Sequence, residues 1–129
     1  AYEDRAAAGR AIQEPLYGDE VEQVFSALPE PFNRVVPQLL TAGAFGEFET
    51  RGGLDVAMRE LISLVAIAAL GVAAQMRPHV AGAIRAGNSR QKVAAALVQV
   101  LPYIGGPYAL SGLVLVATYD ENDSSEAYR

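Results

Sequence analysis

The chain contains no cysteine among its 129 residues. A disulfide framework, a thiol nucleophile and a thiolate metal site are therefore excluded. Histidine is almost as scarce, because His79 is the only one. A single histidine without cysteine holds a metal ion only with the help of clustered carboxylates, and the sequence places no such cluster at ligand spacing. We therefore expect no metal site.

The sequence also lacks a concentration of basic residues. Its net charge is −5, and no lysine or arginine cluster and no aromatic stripe between basic residues interrupts the dispersed acids. Binding to nucleic acid or to an anionic membrane surface is therefore disfavoured. The start of the chain shows no charged-then-apolar signal pattern. We expect a cytoplasmic protein, although the sequence leaves open an export route with a removed leader.

Only one apolar segment is long enough to suggest a membrane span. Residues 93–119 carry no charge, but Pro102, Gly105 and Pro107 interrupt them. Proline inside a helix removes a hydrogen bond and clashes with the preceding turn. The segment therefore predicts two shorter helices joined at the sequence YIGGP, each below the ~20 residues that a membrane span needs. Apolar helices in so small a domain also indicate an oligomer that covers them.

Helix-forming residues dominate the rest of the chain, and no stretch alternates polar and apolar residues in the manner of a strand. We predict an all-α bundle of about six to seven helices in one domain, residues 1–129, with a polar tail over residues 120–129. The predicted helices cover residues 2–14, 19–27, 32–45, 56–70, a segment with His79 that ends at Gly87, and two more segments from Asn88 or Ser89 onward.

Two polar residues stand out against this apolar background. Glu60 lies at the edge of a helix that is apolar on nearly every side, and a buried carboxylate is costly unless it is paired. If the chain turns back at Gly71, Glu60 lies eleven residues before the turn and His79 lies eight after it. At ~1.5 Å per residue the two reach similar heights on neighbouring helices. A carboxylate that holds an imidazole in one tautomer is a common acid/base arrangement.

A structural interpretation of the same residues stays open at this point. His79 could be a core histidine, and Glu60 could pair with Arg59 or Arg85. Other catalytic signatures are missing, because the glycine pairs at Gly52 and Gly105 are typical of turns. No serine occupies a strained elbow either.

An ordered set of motifs resembles the carboxymuconolactone decarboxylase family of the AhpD-like superfamily. The segment FGEFETRGGLDVAMRELISLVAIAALGVAAQMRPHVAGAIRAGNS is followed by VLPYIGGPYAL. It contains the RGGLD turn, an REL that opens an apolar helix, a histidine 19 residues after the glutamate, an Ala-Gly helix end and a Tyr-x-Gly-x-Pro. The resemblance extends over residues 5–119, nearly the whole chain.

The resemblance implies an AhpD-like helical bundle that assembles into trimers or hexamers, with active sites near subunit contacts. In the thiol-dependent peroxidase branch, a CxxC pair occupies the positions of Val72 and Gln75. Because those cysteines are missing here, the resemblance points to the decarboxylase-like branch. The implied reaction is a cofactor-free loss of carbon dioxide from a small lactone carboxylate, 4-carboxymuconolactone, with His79 as acid/base and Glu60 as its orienting partner.

The same resemblance suggests further site residues. Arg51 and Arg59 are candidates for binding a substrate carboxylate, and Tyr103 is a candidate hydrogen-bond donor or else a packing residue. The sequence departs from the decarboxylase pattern at Glu60, where a small hydroxyl residue is usual, and at Pro78. These departures indicate a subfamily.

Two alternatives to a lyase remain from the sequence. One is a non-enzymatic helical binding or assembly module, in which Glu60 and His79 only hold a helix hairpin together. The other is a thiol-free AhpD-like oxidoreductase relative that works with a partner protein, although the absence of cysteine argues against it.

Overall fold

A computed structural model describes residues 1–122, and in this part of the chain the secondary structure is entirely helical. The elements in chain order are α1 (Tyr2–Tyr17), α2 (Glu20–Phe25), α3 (Phe32–Leu39), a π-helix (Leu40–Glu49), α4 (Val56–Leu70), α5 (Ala73–Arg85), α6 (Arg90–Ile104) and α7 (Gly106–Thr118). The predicted all-α class is confirmed. Most of the predicted polar tail lies outside the described residues.

The chain divides into two compact units, a first unit of Ala1–Val56 and a second unit that begins at Ala57. Each unit is described separately below, and the expectation of a single domain stays a prediction. Among residues 1–122, no helix combines the length and the apolar character that crossing a bilayer requires.

In the first unit, α1 packs along the π-helix at very close range. Gly9 and Gly46 make this approach possible. A Cβ atom added to Gly9 would overlap the carbonyl oxygen of Thr41, and one added to Gly46 would overlap the carbonyl oxygen of Arg5. The two helices therefore meet backbone to backbone, an arrangement that leaves room for glycine alone.

Two predicted helix ends in the first unit need correction. The first helix, predicted over about residues 2–14 with its stop near Pro15 and Gly18, continues through Pro15 and ends at Tyr17, directly before Gly18. Leu16 and Tyr17 are buried, so their packing outweighs the one hydrogen bond that the proline removes. The helix predicted over residues 32–45 changes to a π-helix at Leu40 and runs on to Glu49.

The second unit is organised around one apolar core. The helices α4, α5, α6 and α7 all contribute side chains that are at most 7 % exposed: Leu61, Leu64, Ala68, Met76, Val80, Ala83, Val93, Leu97 and Val116. On α4 the buried residues recur at intervals of three and four, which is the spacing of one helix face. The burial of each large aliphatic side chain contributes about 1.5–3 kcal/mol.

The turns of the second unit fall where the sequence predicts them. Gly71 ends α4 with a φ of 70°, and Gly105 separates α6 from α7 with a φ of 86°. Ser89 caps α6, because its side chain accepts a hydrogen bond from the Lys92 backbone N–H at 3.1 Å. Pro102, however, lies inside the last turn of α6 and does not end it.

Candidate active site

The structure brings Glu60 and His79 together. Glu60 lies in the second turn of α4, His79 lies in the middle of α5, and the turn at Gly71 connects the two helices. The Nδ1 atom of His79 is 3.8 Å from Oε2 of Glu60. The contact that the spacing around Gly71 predicts is therefore confirmed, although the catalytic roles of the two residues stay predictions.

The two side chains differ in their exposure to solvent. The Glu60 side chain is 3 % exposed and the His79 side chain is 24 % exposed. A carboxylate that is buried so deeply is stable only with polar groups around it, and the imidazole of His79 is one such neighbour. The separation of 3.8 Å is too long for a direct hydrogen bond, so the two groups are neighbours in the structure, and an acid/base role for them stays a prediction.

A buried asparagine connects the two helices about one turn beyond this pair, at the end away from Gly71. The Asn88 side chain is buried, and its Nδ2 donates hydrogen bonds to the carbonyl oxygens of Ala57 at 2.8 Å and Ala83 at 2.9 Å. Ala57 lies about one turn before Glu60 on α4, and Ala83 lies about one turn after His79 on α5. Asn88 therefore links the two helices that carry Glu60 and His79. The sequence suggests only a helix cap at Asn88, and Ser89 fills that role.

A cavity of about 450 Å³ lies between the start of α5 and the middle of α7. Its lining is mostly apolar and includes Met76, Val114 and Leu115, with Arg77 and Ser111 as the polar exceptions. Neither Glu60 nor His79 is among the residues that line it, so the cavity is a separate feature of the second unit. Sequence reasoning did not single out Arg77 or Ser111.

The remaining predicted site residues occupy different environments. Arg59 is partly buried on α4, directly before Glu60. The Tyr103 side chain is 84 % exposed near the end of α6. Arg51 belongs to the first unit, where its Nη2 lies 3.2 Å from Oε1 of Glu47 and its guanidinium lies 4.7 Å from the ring centre of Phe48.

Two arginines lie beside the carboxylate of Glu47. Hydrogen bonds from Arg51 and then from Arg5 lower the pKa of the Glu47 carboxyl below its ordinary value of 4.5. These contacts connect α1, the π-helix and the turn that follows it. Arg51 is therefore held by Glu47 within the first unit, and its predicted role in substrate binding stays a prediction.

The positions that correspond to the cysteines of the redox branch lie at the start of α5. Val72 precedes the first turn, and its carbonyl oxygen accepts a hydrogen bond from the Gln75 backbone N–H at 3.0 Å. Both side chains are exposed. The backbone therefore presents the two positions together, but an isopropyl group and an amide carry no redox chemistry. Within residues 1–122, no three histidine, aspartate or glutamate side chains gather as a metal-binding group.

The described residues form only helices, and a histidine lies 3.8 Å from a buried carboxylate in a chain without a thiol. Residues 35–118, about two thirds of the chain, match the family model of the carboxymuconolactone decarboxylase family. The chain belongs to the carboxymuconolactone decarboxylase family, as its motifs predict. None of the curated proteins compared with the chain matches it.

Proposed function

We propose that the protein is a cofactor-free carboxy-lyase that acts on a small lactone carboxylate such as 4-carboxymuconolactone. Family membership supports this class of reaction in general. The observation that carries the assignment to particular residues is the 3.8 Å contact between His79 and Glu60 in a chain without cysteine. The substrate and the catalytic roles are parts of the proposal.

The proposed reaction breaks the carbon–carbon bond to the carboxylate on the lactone ring. Its electron pair moves through the ring double bond into the lactone carbonyl, carbon dioxide leaves, and a furan-like oxyanion results. His79 then donates a proton to a ring carbon and recovers one from solvent, so that the net change is the replacement of carbon dioxide by a proton. Stabilisation of the oxyanion and delivery of the proton are the two demands on the site.

In this proposal each side chain has a separate task. His79 is the catalytic acid/base, and Glu60 is a positioning residue that fixes the imidazole. Arg59, which directly precedes Glu60 on α4, is the candidate for the side-chain carboxylate of the substrate. Tyr103 has the weakest support, because a side chain that is 84 % exposed is hydrated before it meets a substrate.

The test is turnover of 4-carboxymuconolactone by the purified chain, followed by release of carbon dioxide and by ultraviolet absorbance. We expect His79→Ala to lower kcat by about 100-fold or more, the usual contribution of a positioned acid/base. Gln75→Ala, an exposed change on the same helix, is the matched control and should keep the wild-type rate. Absence of turnover in the wild-type protein, or an unchanged rate in His79→Ala, would overturn the proposal.

We also propose that the chain forms a homo-oligomer, a trimer or a hexamer. The support is the apolar side chains of α7 that are left open, with Leu110 at 55 % and Val114 at 60 % exposure on one helix face. Exposed apolar side chains grouped in this way mark a contact surface. Light scattering should give a mass of three or six chains, and Val114→Glu should lower it. A monomeric wild-type protein would contradict this part of the proposal.

A second candidate function is a helical assembly module without catalysis. Its specific support is the burial of Glu60, since the Glu60–His79 contact would also serve to hold α4 against α5. In that case His79→Ala would dissociate the oligomer, and the wild-type protein would not turn over the lactone. A thiol-free oxidoreductase relative is a third possibility, which consumption of peroxide with a common reductant would support.

A further inference from the structure

One amide group joins the two ends of the helix pair that the Gly71 turn leaves apart. The turn at Gly71 connects α4 to α5 at one end of the pair. At the other end, Nδ2 of Asn88 donates to the carbonyl oxygen of Ala57 on α4 at 2.8 Å and to that of Ala83 on α5 at 2.9 Å. The Asn88 backbone N–H also donates to Ala83, at 3.2 Å. Asn88 is thus fixed to α5 and reaches across to α4.

The Asn88 side chain is buried at a cost. The residue is 3 % exposed, and Oδ1 of its amide is buried without a hydrogen-bond partner among residues 1–122. A buried acceptor without a donor is unfavourable, and an apolar side chain of similar size would avoid this cost. What the amide contributes at this position is therefore its two N–H donors, both of which are used.

The amide lies closer to the Glu60–His79 contact, along both helices, than the Gly71 turn does. Ala57 lies three residues before Glu60, and Ala83 lies four residues after His79. At ~1.5 Å per residue these separations are about 4.5 Å and 6 Å. The Gly71 turn is eleven residues from Glu60 and eight from His79. The distance between the two helices at the candidate site therefore depends more on the amide than on the turn.

We propose that Asn88 is a positioning residue that acts through His79. It holds α5 against α4, so that the imidazole keeps its place beside the Glu60 carboxylate. The kinetic part of this inference rests on the proposed function, whereas the geometric part does not. Because Asn88 is buried and touches no substrate, its loss should affect the orientation of the imidazole and the chemical step more than the binding of substrate.

The first test needs no substrate. His79 is the only histidine, so the C–H signals of its imidazole are assigned without ambiguity in an NMR spectrum. Asn88→Leu fills the same space without donors or charge, and we expect the imidazole signals to shift and broaden as the ring samples more than one arrangement. Asn88→Ser keeps one donor group and should change the signals less. If Asn88→Leu does not fold, Asn88→Ser carries the test, and unchanged imidazole signals would overturn the proposal.

The second test is the rate on 4-carboxymuconolactone. Asn88→Leu should lower kcat by about tenfold and change KM by less than about twofold, the pattern of a lost arrangement and not of lost substrate binding. Gln91→Leu, which replaces an exposed amide on α6, is the matched control. Val116→Ala removes buried volume from α7 and controls for a general loss of stability. Both controls should keep the imidazole signals and kcat of the wild-type protein, and equal changes in Val116→Ala would refute a positioning role.

The two tests separate this inference from the proposed function. If the wild-type protein does not turn over the lactone but Asn88→Leu displaces the imidazole signals, the proposed reaction is wrong and the positioning of His79 by Asn88 is supported. If the wild-type protein turns over the lactone and Asn88→Leu leaves both the signals and kcat unchanged, the reaction is supported and the role of Asn88 is refuted.

Discussion

The two units of the molecule bury their polar pairs in different ways. In the first unit, the Thr41 hydroxyl donates to Oε1 of Gln13 at 2.7 Å, and both residues are 3 % exposed. In the second unit, Glu60 and His79 approach only to 3.8 Å, and the histidine remains partly open. The first pair is neutral and has a short hydrogen bond, whereas the second pair can carry charge and can exchange a proton with a molecule that reaches it.

The hydrophobic packing of the two units also differs. The second unit relies on large aliphatic side chains from four helices, while the first unit brings α1 and the π-helix together at two glycines. Aliphatic cores stabilise by removing apolar surface from water, and glycine contacts stabilise by permitting close backbone packing. A substitution should therefore harm the second unit by deleting volume and the first unit by adding it.

The largest effect is expected from loss of volume at Leu64. This side chain of α4 is 0 % exposed, and Leu64→Ala should reduce the free energy of unfolding by about 2–5 kcal/mol, because a cavity is added to the lost burial. Leu70→Ala changes a side chain of the same helix that is 75 % exposed and should cost far less. Urea unfolding followed by circular dichroism measures both. Equal losses would show that the apolar core is misassigned.

A smaller effect is expected from added volume at Gly46. Gly46→Ala places a methyl group on the Arg5 carbonyl oxygen and should cost about 1–3 kcal/mol. The control is Gly43→Ala in the same π-helix, where nothing lies within 4 Å of the added atom. That change should be neutral or slightly stabilising, since alanine loses less backbone freedom than glycine. If the two variants unfold at the same urea concentration, the close backbone contact is refuted.

The next prediction concerns the buried hydrogen bond between Thr41 and Gln13. Thr41→Val keeps the shape of the side chain and removes the donor to Gln13, so a buried oxygen loses its partner at a cost of about 1–3 kcal/mol. Thr118→Val removes an exposed hydroxyl that donates to the Val114 carbonyl of its own helix and should change stability by less than about 0.5 kcal/mol. Thermal unfolding of the two variants separates the cases. A larger loss in Thr118→Val would contradict the comparison.

The sequence predicted the second unit better than the first for a physical reason. Apolar periodicity and the glycines at Gly71 and Gly105 are local signals in the sequence. They were enough to predict the helix ends of the second unit and the contact between Glu60 and His79. The close packing at Gly9 and Gly46 joins two segments that are far apart in sequence. A glycine in a sequence does not indicate which segment will pack against it, so this contact could not be predicted. The π-helix was missed because its composition suits an ordinary α-helix equally well.

The candidate site could be predicted only for residues whose burial requires a particular kind of partner. A lone histidine and a carboxylate at the edge of an apolar stripe each require compensation, so their pairing could be inferred. Arg77 and Ser111 join the 450 Å³ cavity through the packing of α5 on α7, which no local pattern encodes. The exposure of Tyr103 likewise depends on tertiary packing, although its motif is plain in the sequence.

The smallest effect is expected from Glu47, an exposed carboxylate beside two arginines. Arg51 and Arg5 lower the pKa of Glu47 in the folded chain, so this carboxylate contributes stability above its unfolded pKa and loses that contribution as the pH falls through its folded pKa. Glu47→Gln should therefore lower Tm slightly near pH 7. The difference from the wild-type protein should disappear at a pH below the lowered value, where both side chains are uncharged.

Salt provides the control for this last comparison. Because the Glu47 side chain is 41 % exposed, about 1 M sodium chloride should screen its attraction to the arginines and should shrink the Tm difference at neutral pH as well. A Tm difference for Glu47→Gln that persists unchanged in low pH and in high salt would show that Glu47 acts through packing and not through its charge.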